Sequence, residues 1–157
     1  MSLDPGPIKV FGVVGALSFI IEGILLPVAV VAHIFLLLAS RWMAYYYNNR
    51  QIYTMGLFWF ATALTASLTT AAALRLTIIT AFLTNSPYLA HVAAAWIVTT
   101  VPFYILMERA YKATGVGLFK AAGMVYVAGA ALFYLKAGVF LLAYAFVLLG
   151  VAMSKVK

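Results

Sequence analysis

The stretch that decides the fold is Ala137–Met153, AGVFLLAYAFVLLGVAM, which contains no charged residue. A helix of roughly 17 to 25 apolar residues spans the hydrocarbon layer of a bilayer. Similar stretches make up most of the chain, since 67% of its 157 residues are apolar and 8% are charged. We therefore predict an all-α fold, a polytopic transmembrane helical bundle with the lipid bilayer as its solvent.

Five further apolar segments precede this stretch, at 8–21, 24–44, 52–83, 87–107 and 116–135. The first two segments are interrupted only at Glu22-Gly23, and the last two only around Lys136. One helix through the first pair would be roughly 54 Å long, whereas the hydrocarbon layer is about 30 Å thick. We predict about six segments arranged as three hairpins in a single membrane domain, 1–157. One long kinked helix is the alternative at each end of the chain.

The basic residues indicate an orientation rather than a nucleic-acid partner. Ten Lys and Arg face three Asp and Glu, but these charges stand singly between apolar segments and form no patch. If the N-terminus is cytoplasmic, Arg75 and Lys136 lie outside and eight basic residues lie inside, as the positive-inside rule favours. The sequence thus predicts a multi-pass cell-membrane protein with both termini cytoplasmic. The eight are Lys9, Arg41, Arg50, Arg109, Lys112, Lys120, Lys155 and Lys157.

Two polar patterns interrupt the apolar composition. The stretch Arg41–Tyr53, RWMAYYYNNRQIY, is predicted as a connecting loop whose aromatic rings form a belt at the headgroup level, with a binding site as the alternative. In the third segment Thr62, Thr65 and Thr69 recur at helical spacing among alanines. These hydroxyls either serve close helix packing or line a polar path through the bundle.

Two stretches carry a family resemblance, Ala39–Met55 (ASRWMAYYYNNRQIYTM) and Thr114–Gly129 (TGVGLFKAAGMVYVAG). With the apolar hairpins around them, they resemble the archaeal membrane-protein family catalogued as domain of unknown function nine-nine-six. The resemblance covers nearly the whole chain. It implies a small archaeal integral membrane protein, and it implies no activity.

A few ionisable residues fall within or beside the apolar segments, where a charge is costly and marks a candidate site. We expect an outer polar cluster of Glu22, Arg75, His91 and Lys136. These side chains either flank helix ends, reach the headgroups and pair with one another, or form the outer vestibule of a small solute or ion channel or transporter. The second reading needs a wet cavity beneath them.

His33 and His91 are candidate cofactor ligands, because two imidazoles on different helices suit a bis-histidine haem b. His33 is expected near the middle of the membrane and His91 about four residues from the outer end of its helix, so the two differ in depth by roughly 8 Å. That offset opposes a shared iron. Haem-based electron transfer therefore stands as an alternative function.

No complete catalytic constellation occurs in the sequence, so we predict no enzyme activity and no resident cofactor or metal. There is no cysteine, no zinc-protease motif and no phosphate-binding loop. Alanine, glycine, serine and threonine are abundant, as at helix contacts within membranes. The leading hypothesis is a non-catalytic accessory or scaffolding subunit of a larger membrane assembly, or a homo-oligomer. Its expected partners are the lipid bilayer and other membrane subunits or itself, with no nucleic acid.

Overall fold

The structure, a computed structural model, describes residues 4–22, 26–74, 89–135 and 137–157. Every regular element in these ranges is a helix, which confirms the all-α prediction. The elements are α1 (Gly6–Glu22), α2 (Leu26–Tyr46), α3 (Arg50–Leu74), α4 (Leu89–Val98), α5 (Thr100–Thr114), α6 (Gly117–Ala131), a 3-10 turn (Phe133–Leu135) and α7 (Ala137–Ser154).

Helices α4 and α5 are two halves of one segment, interrupted at Thr99. The cause is Pro102, which has no N–H and whose ring collides in a regular helix with the carbonyl group four residues earlier, that of Val98. Counting this pair once, the described helices form six segments, as predicted. Three of them are long and apolar enough to cross a membrane: Arg50–Ala72, Leu89–Thr114 and Ala137–Ser154.

Both terminal pairs are hairpins rather than single kinked helices. Helix α1 ends at Glu22, α2 begins at Leu26, and the two helices pack against each other. At the other end of the chain α6 and α7 pack in the same way after the 3-10 turn. Helix α3 packs against α4 and α5, which makes the middle pair. The three-hairpin arrangement is therefore confirmed.

The six segments close into a ring that follows the order of the chain. Each segment packs against the next one, and α7 packs back against α1. Glycines permit the close approach within the first hairpin: a Cβ atom at Gly15 would lie 3.0 Å from the backbone nitrogen of Leu36. Ring closure gives every segment one face toward a common centre and one face toward the surroundings.

The connection between α2 and α3 is shorter than the loop predicted for Arg41–Tyr53. Helix α2 continues to Tyr46 and α3 begins at Arg50, so only a tight turn remains. Asparagine makes the turn possible, since Asn48 adopts a left-handed backbone with φ of 48°. The side-chain oxygen of Asn49 then accepts a hydrogen bond from the backbone N–H of Gln51 at 3.2 Å and caps α3.

One end of the ring collects most of the charge. It contains the start of α1, the α2–α3 and α5–α6 turns and the end of α7, and the Tyr47 hydroxyl donates to the Lys157 carbonyl there at 3.1 Å. Burial and the neighbouring Tyr46 raise the pKa of Tyr47, which keeps this donor protonated. We call this the basic end. Its charged residues are Lys9, Arg41, Arg50, Arg109, Lys112, Lys120, Lys155 and Lys157 with the acids Asp4 and Glu108.

Candidate functional site

The centre of the ring is filled by aromatic side chains, and every segment supplies at least one. Phe19 stacks on Phe146 with 3.7 Å between ring centroids, and Phe103 stacks on Tyr126 at 4.0 Å. Phe19 also meets Trp96 edge-on with 6.1 Å between ring centroids, a geometry that adds specific attraction to plain burial. We call this group the aromatic core: Phe19, His33, Trp59, Trp96, Phe103, Tyr126 and Phe146.

A chain of hydrogen bonds runs through the aromatic core. The Thr99 hydroxyl donates to the Trp96 carbonyl at 2.6 Å, so the Tyr126 hydroxyl, 2.6 Å from Thr99, is the donor in their shared bond. Tyr126 in turn accepts from the indole N–H of Trp59 at 3.4 Å. The second indole, that of Trp96, donates to the Thr70 hydroxyl at 3.1 Å. Three of these four bonds link separate segments, so the polar atoms of the core fix the position of one helix relative to another.

One small cavity borders the aromatic core. A cavity beside Trp59, lined also by Met43, Phe103 and Leu149, has a volume of about 10 Å³. A single water molecule needs about that much room. This cavity therefore has no room for a solute larger than water.

The two histidines occupy different surroundings. His33 is fully buried, with its ring centroid 5.0 Å from that of Phe19 and 5.5 Å from that of Trp59, on which it stacks. His91 lies on an exposed face of α4. The two axial ligands of a haem must lie on opposite sides of the same iron. His33 is covered by aromatic rings and His91 is exposed on the surface, so this pair does not fit that arrangement. An absorbance spectrum of the purified protein tests the haem hypothesis directly.

The outer polar cluster is described at one of its four positions. His91 is exposed near the start of α4. Arg75, Lys136 and the side chain of Glu22 lie outside the described residues. The proximity predicted for this group therefore stays a prediction.

The threonines of α3 bond to their own helix. The hydroxyls of Thr62, Thr65 and Thr69 donate to the carbonyls of Phe58, Ala61 and Thr65 at 3.0, 2.9 and 2.8 Å. Thr65 is exposed on the outside of the ring, and Thr62 and Thr69 are half-buried. These hydroxyls therefore make their hydrogen bonds within α3, on the outer surface of the ring.

The same threonines border a groove on the outer surface between α3 and α4. Its volume is about 310 Å³. The walls carry only small and medium side chains. We call it the α3–α4 groove, and it is lined by Ala61, Thr62, Thr65, Ala66, Ala95 and Val98.

Sequence reasoning missed the polar centre of the bundle. Thr99 and Tyr126 lie in apolar stretches with no catalytic or ligand-binding motif around them. For Thr99 the available signal was Pro102. A proline predicts a break in the helix a few residues before it, which is where Thr99 lies. For Tyr126 no local signal exists, because its partners lie on other helices.

Comparisons with described protein families, with curated proteins and with solved structures find no match to this chain. The resemblance of Ala39–Met55 and Thr114–Gly129 to an archaeal membrane-protein family stays a prediction.

Proposed function

We propose that this chain is an integral membrane protein with a structural role, a non-catalytic accessory or scaffolding subunit that binds membrane helices through the α3–α4 groove. The helices it binds belong to another membrane subunit or to a second copy of the chain. The groove itself carries the proposal, because it is a recess of small residues on the outside of a ring whose interior is filled.

The outer surface of the ring supports placement in a bilayer. Large apolar side chains point outward on every segment, among them Leu17, Phe58, Val101 and Phe140, each more than half exposed. Monomeric water-soluble proteins rarely expose continuous apolar surface of this kind. With three helices long enough to span, the simplest environment for this surface is hydrocarbon.

The charge distribution supports an orientation for this membrane protein. Eight of the ten Lys and Arg lie at the basic end, which also holds the start of α1 and the end of α7. Basic residues near membrane helices are retained on the cytoplasmic side. We therefore place both termini in the cytoplasm.

The groove suits another helix better than it suits lipid. Small residues allow two helix backbones to approach closely and gain van der Waals contact, which drives helix association where hydrophobic burial gives no advantage. Ala61 and Thr65 are four residues apart on one face of α3, the small-xxx-small spacing of such contacts. The indole N–H groups of Trp59 and Trp96 and the Tyr126 hydroxyl, by contrast, already have hydrogen-bond partners inside the ring.

Filling the groove is expected to weaken association. Ala61→Leu places a large side chain on an exposed position of the groove wall, and we expect about a tenfold weaker association, equivalent to ~1.4 kcal/mol. Energy transfer between donor- and acceptor-labelled copies in lipid measures self-association. Co-purification from native membranes measures binding to other subunits.

The matched control is Ala128→Leu, the same substitution at an exposed position of α6 away from the groove. We expect it to leave association unchanged. The proposal fails if the unmodified protein is strictly monomeric and brings no partner from native membranes, or if the two variants behave alike.

A second test separates helix packing from a water-filled path along α3. Thr65→Cys is expected to resist a small water-soluble thiol reagent in membranes, because position 65 faces outward into hydrocarbon and the ring interior is filled. Gln51→Cys, exposed at the basic end, should react readily. The chain has no native cysteine to confuse the labelling. Rapid labelling at position 65 would show that the α3–α4 groove is in contact with water, and it would contradict the docking of a membrane helix there.

A further inference from the structure

A second groove lies on the outer face of α2, close to the basic end. Its lining residues, Leu38, Arg41, Trp42 and Tyr45, are spaced i, i+3, i+4 and i+7 and so share one side of the helix. Its volume is about 490 Å³. The opposite side of α2 is buried in the ring, so this face is directed to the surroundings. We call it the α2 groove.

The α2 groove is arranged by polarity along the axis of α2. Arg41 is exposed. Among the described residues the ion pair is formed by Glu108 and Lys112, and Arg41 takes no part in it. Trp42 and Tyr45 are 40% and 66% exposed, with an edge-on contact of 6.4 Å between ring centroids. Leu38 lies about 4.5 Å deeper along the helix than Arg41. The aromatic and cationic side chains therefore lie nearer the basic end, and the apolar Leu38 lies farther from it.

We propose that the α2 groove binds the headgroup of an anionic phospholipid. The Arg41 guanidinium pairs with the phosphodiester, because its planar set of N–H donors matches two phosphate oxygens. Trp42 and Tyr45 lie beside the headgroup and glycerol, where amphipathic rings are favoured. The upper acyl chain covers Leu38.

Charge complementarity selects an anionic lipid over a zwitterionic one. The basic end has eight cationic residues against Asp4 and Glu108, and Glu108 is already paired. A lipid with a net negative headgroup is attracted to this end, whereas the ammonium of phosphatidylcholine offsets its own phosphate. The inference rests on the proposed placement in a membrane and not on helix docking at the α3–α4 groove.

Trp42 is a natural reporter for this site. The other two tryptophans, Trp59 and Trp96, are buried in the aromatic core. A lipid with brominated acyl chains quenches an indole that it touches. The full-length protein is therefore reconstituted in vesicles that contain brominated phosphatidylglycerol among unlabelled phosphatidylcholine, and in vesicles with the bromine label exchanged between the two lipids.

We expect stronger quenching by phosphatidylglycerol, with an apparent preference of about fivefold, the effect of one cation near the surface. Arg41→Gln should remove most of this preference. Lys120→Gln makes the same charge change in the first turn of α6, across the ring at the same end, and should retain the preference. Trp42→Phe should abolish the quenching by either lipid.

Equal quenching by the two lipids in the unmodified protein would overturn the lipid site while leaving membrane placement intact. Equal loss of preference in Arg41→Gln and Lys120→Gln would also overturn it, since the effect would then be one of overall charge. No quenching by either lipid would contradict the membrane placement itself.

Discussion

Gly138→Ala is expected to destabilise the bundle by about 3 kcal/mol, at the upper end of the range for overpacking. A Cβ atom at this position would overlap the Gly129 carbonyl oxygen and backbone atoms of Leu132 and Phe133. These are main-chain atoms and cannot rotate away, so α7 must move off α6. The free energy of unfolding in mixed micelles, followed by tryptophan fluorescence, measures the change.

Gly117→Ala is the control for this substitution. Position 117 begins α6, and a Cβ atom there would meet nothing within 4 Å. Alanine also has the higher helix propensity, so this variant should be as stable as the unmodified protein or slightly more stable. Equal stability of the two alanine variants would show that the hairpin tolerates a wider separation of α6 and α7.

Phe103→Ala is expected to cost about 2 kcal/mol of unfolding free energy. The ring is fully buried, 4.0 Å from Tyr126 and 5.3 Å from Trp59 between centroids, and truncation leaves a cavity that its neighbours fill only in part. The cost is lower than in a water-soluble core, because a phenylalanine released from the bundle enters hydrocarbon rather than water. The same unfolding measurement checks it.

Phe58→Ala separates the cavity effect from the loss of an apolar side chain as such. Phe58 is the neighbour of Trp59 on α3 but is 59% exposed on the outer surface. Its removal leaves no cavity, and we expect a change within about 0.5 kcal/mol. A similar loss in both variants would mean that Phe103 contributes through hydropathy and not through its contacts in the aromatic core.

Segment number and hairpin pairing could be predicted because the bilayer imposes a length on each helix. The break at Glu22-Gly23 was decided in this way, and α1 does end at Glu22. The end of α4 at Val98 was not predicted, although Pro102 gives the physical reason. Local chemistry that shortens a turn, as at Asn48 and Asn49, was also overlooked.

The direction in which each residue faces could not be predicted from hydropathy. A segment between lipid and an apolar core has apolar residues on both faces, so outward Leu57 and inward Trp59 look alike in sequence. For the same reason the Thr62, Thr65 and Thr69 pattern favoured helix packing but did not exclude a polar path. The closure of α7 on α1 joins helices more than a hundred residues apart and has no local signature.

That closure sets an order on biogenesis. Segments enter a membrane as they are synthesised, yet the face of α1 that carries Gly12 is covered by Met153 near the end of the chain. Until α7 is synthesised, the face of α1 that will contact it has no helix packed against it. The incomplete bundle is then an open ring, and its first and last helices each have one uncovered face. A chain that stops before α7 leaves both edges uncovered, and exposed apolar surface of this kind favours association between unfinished copies.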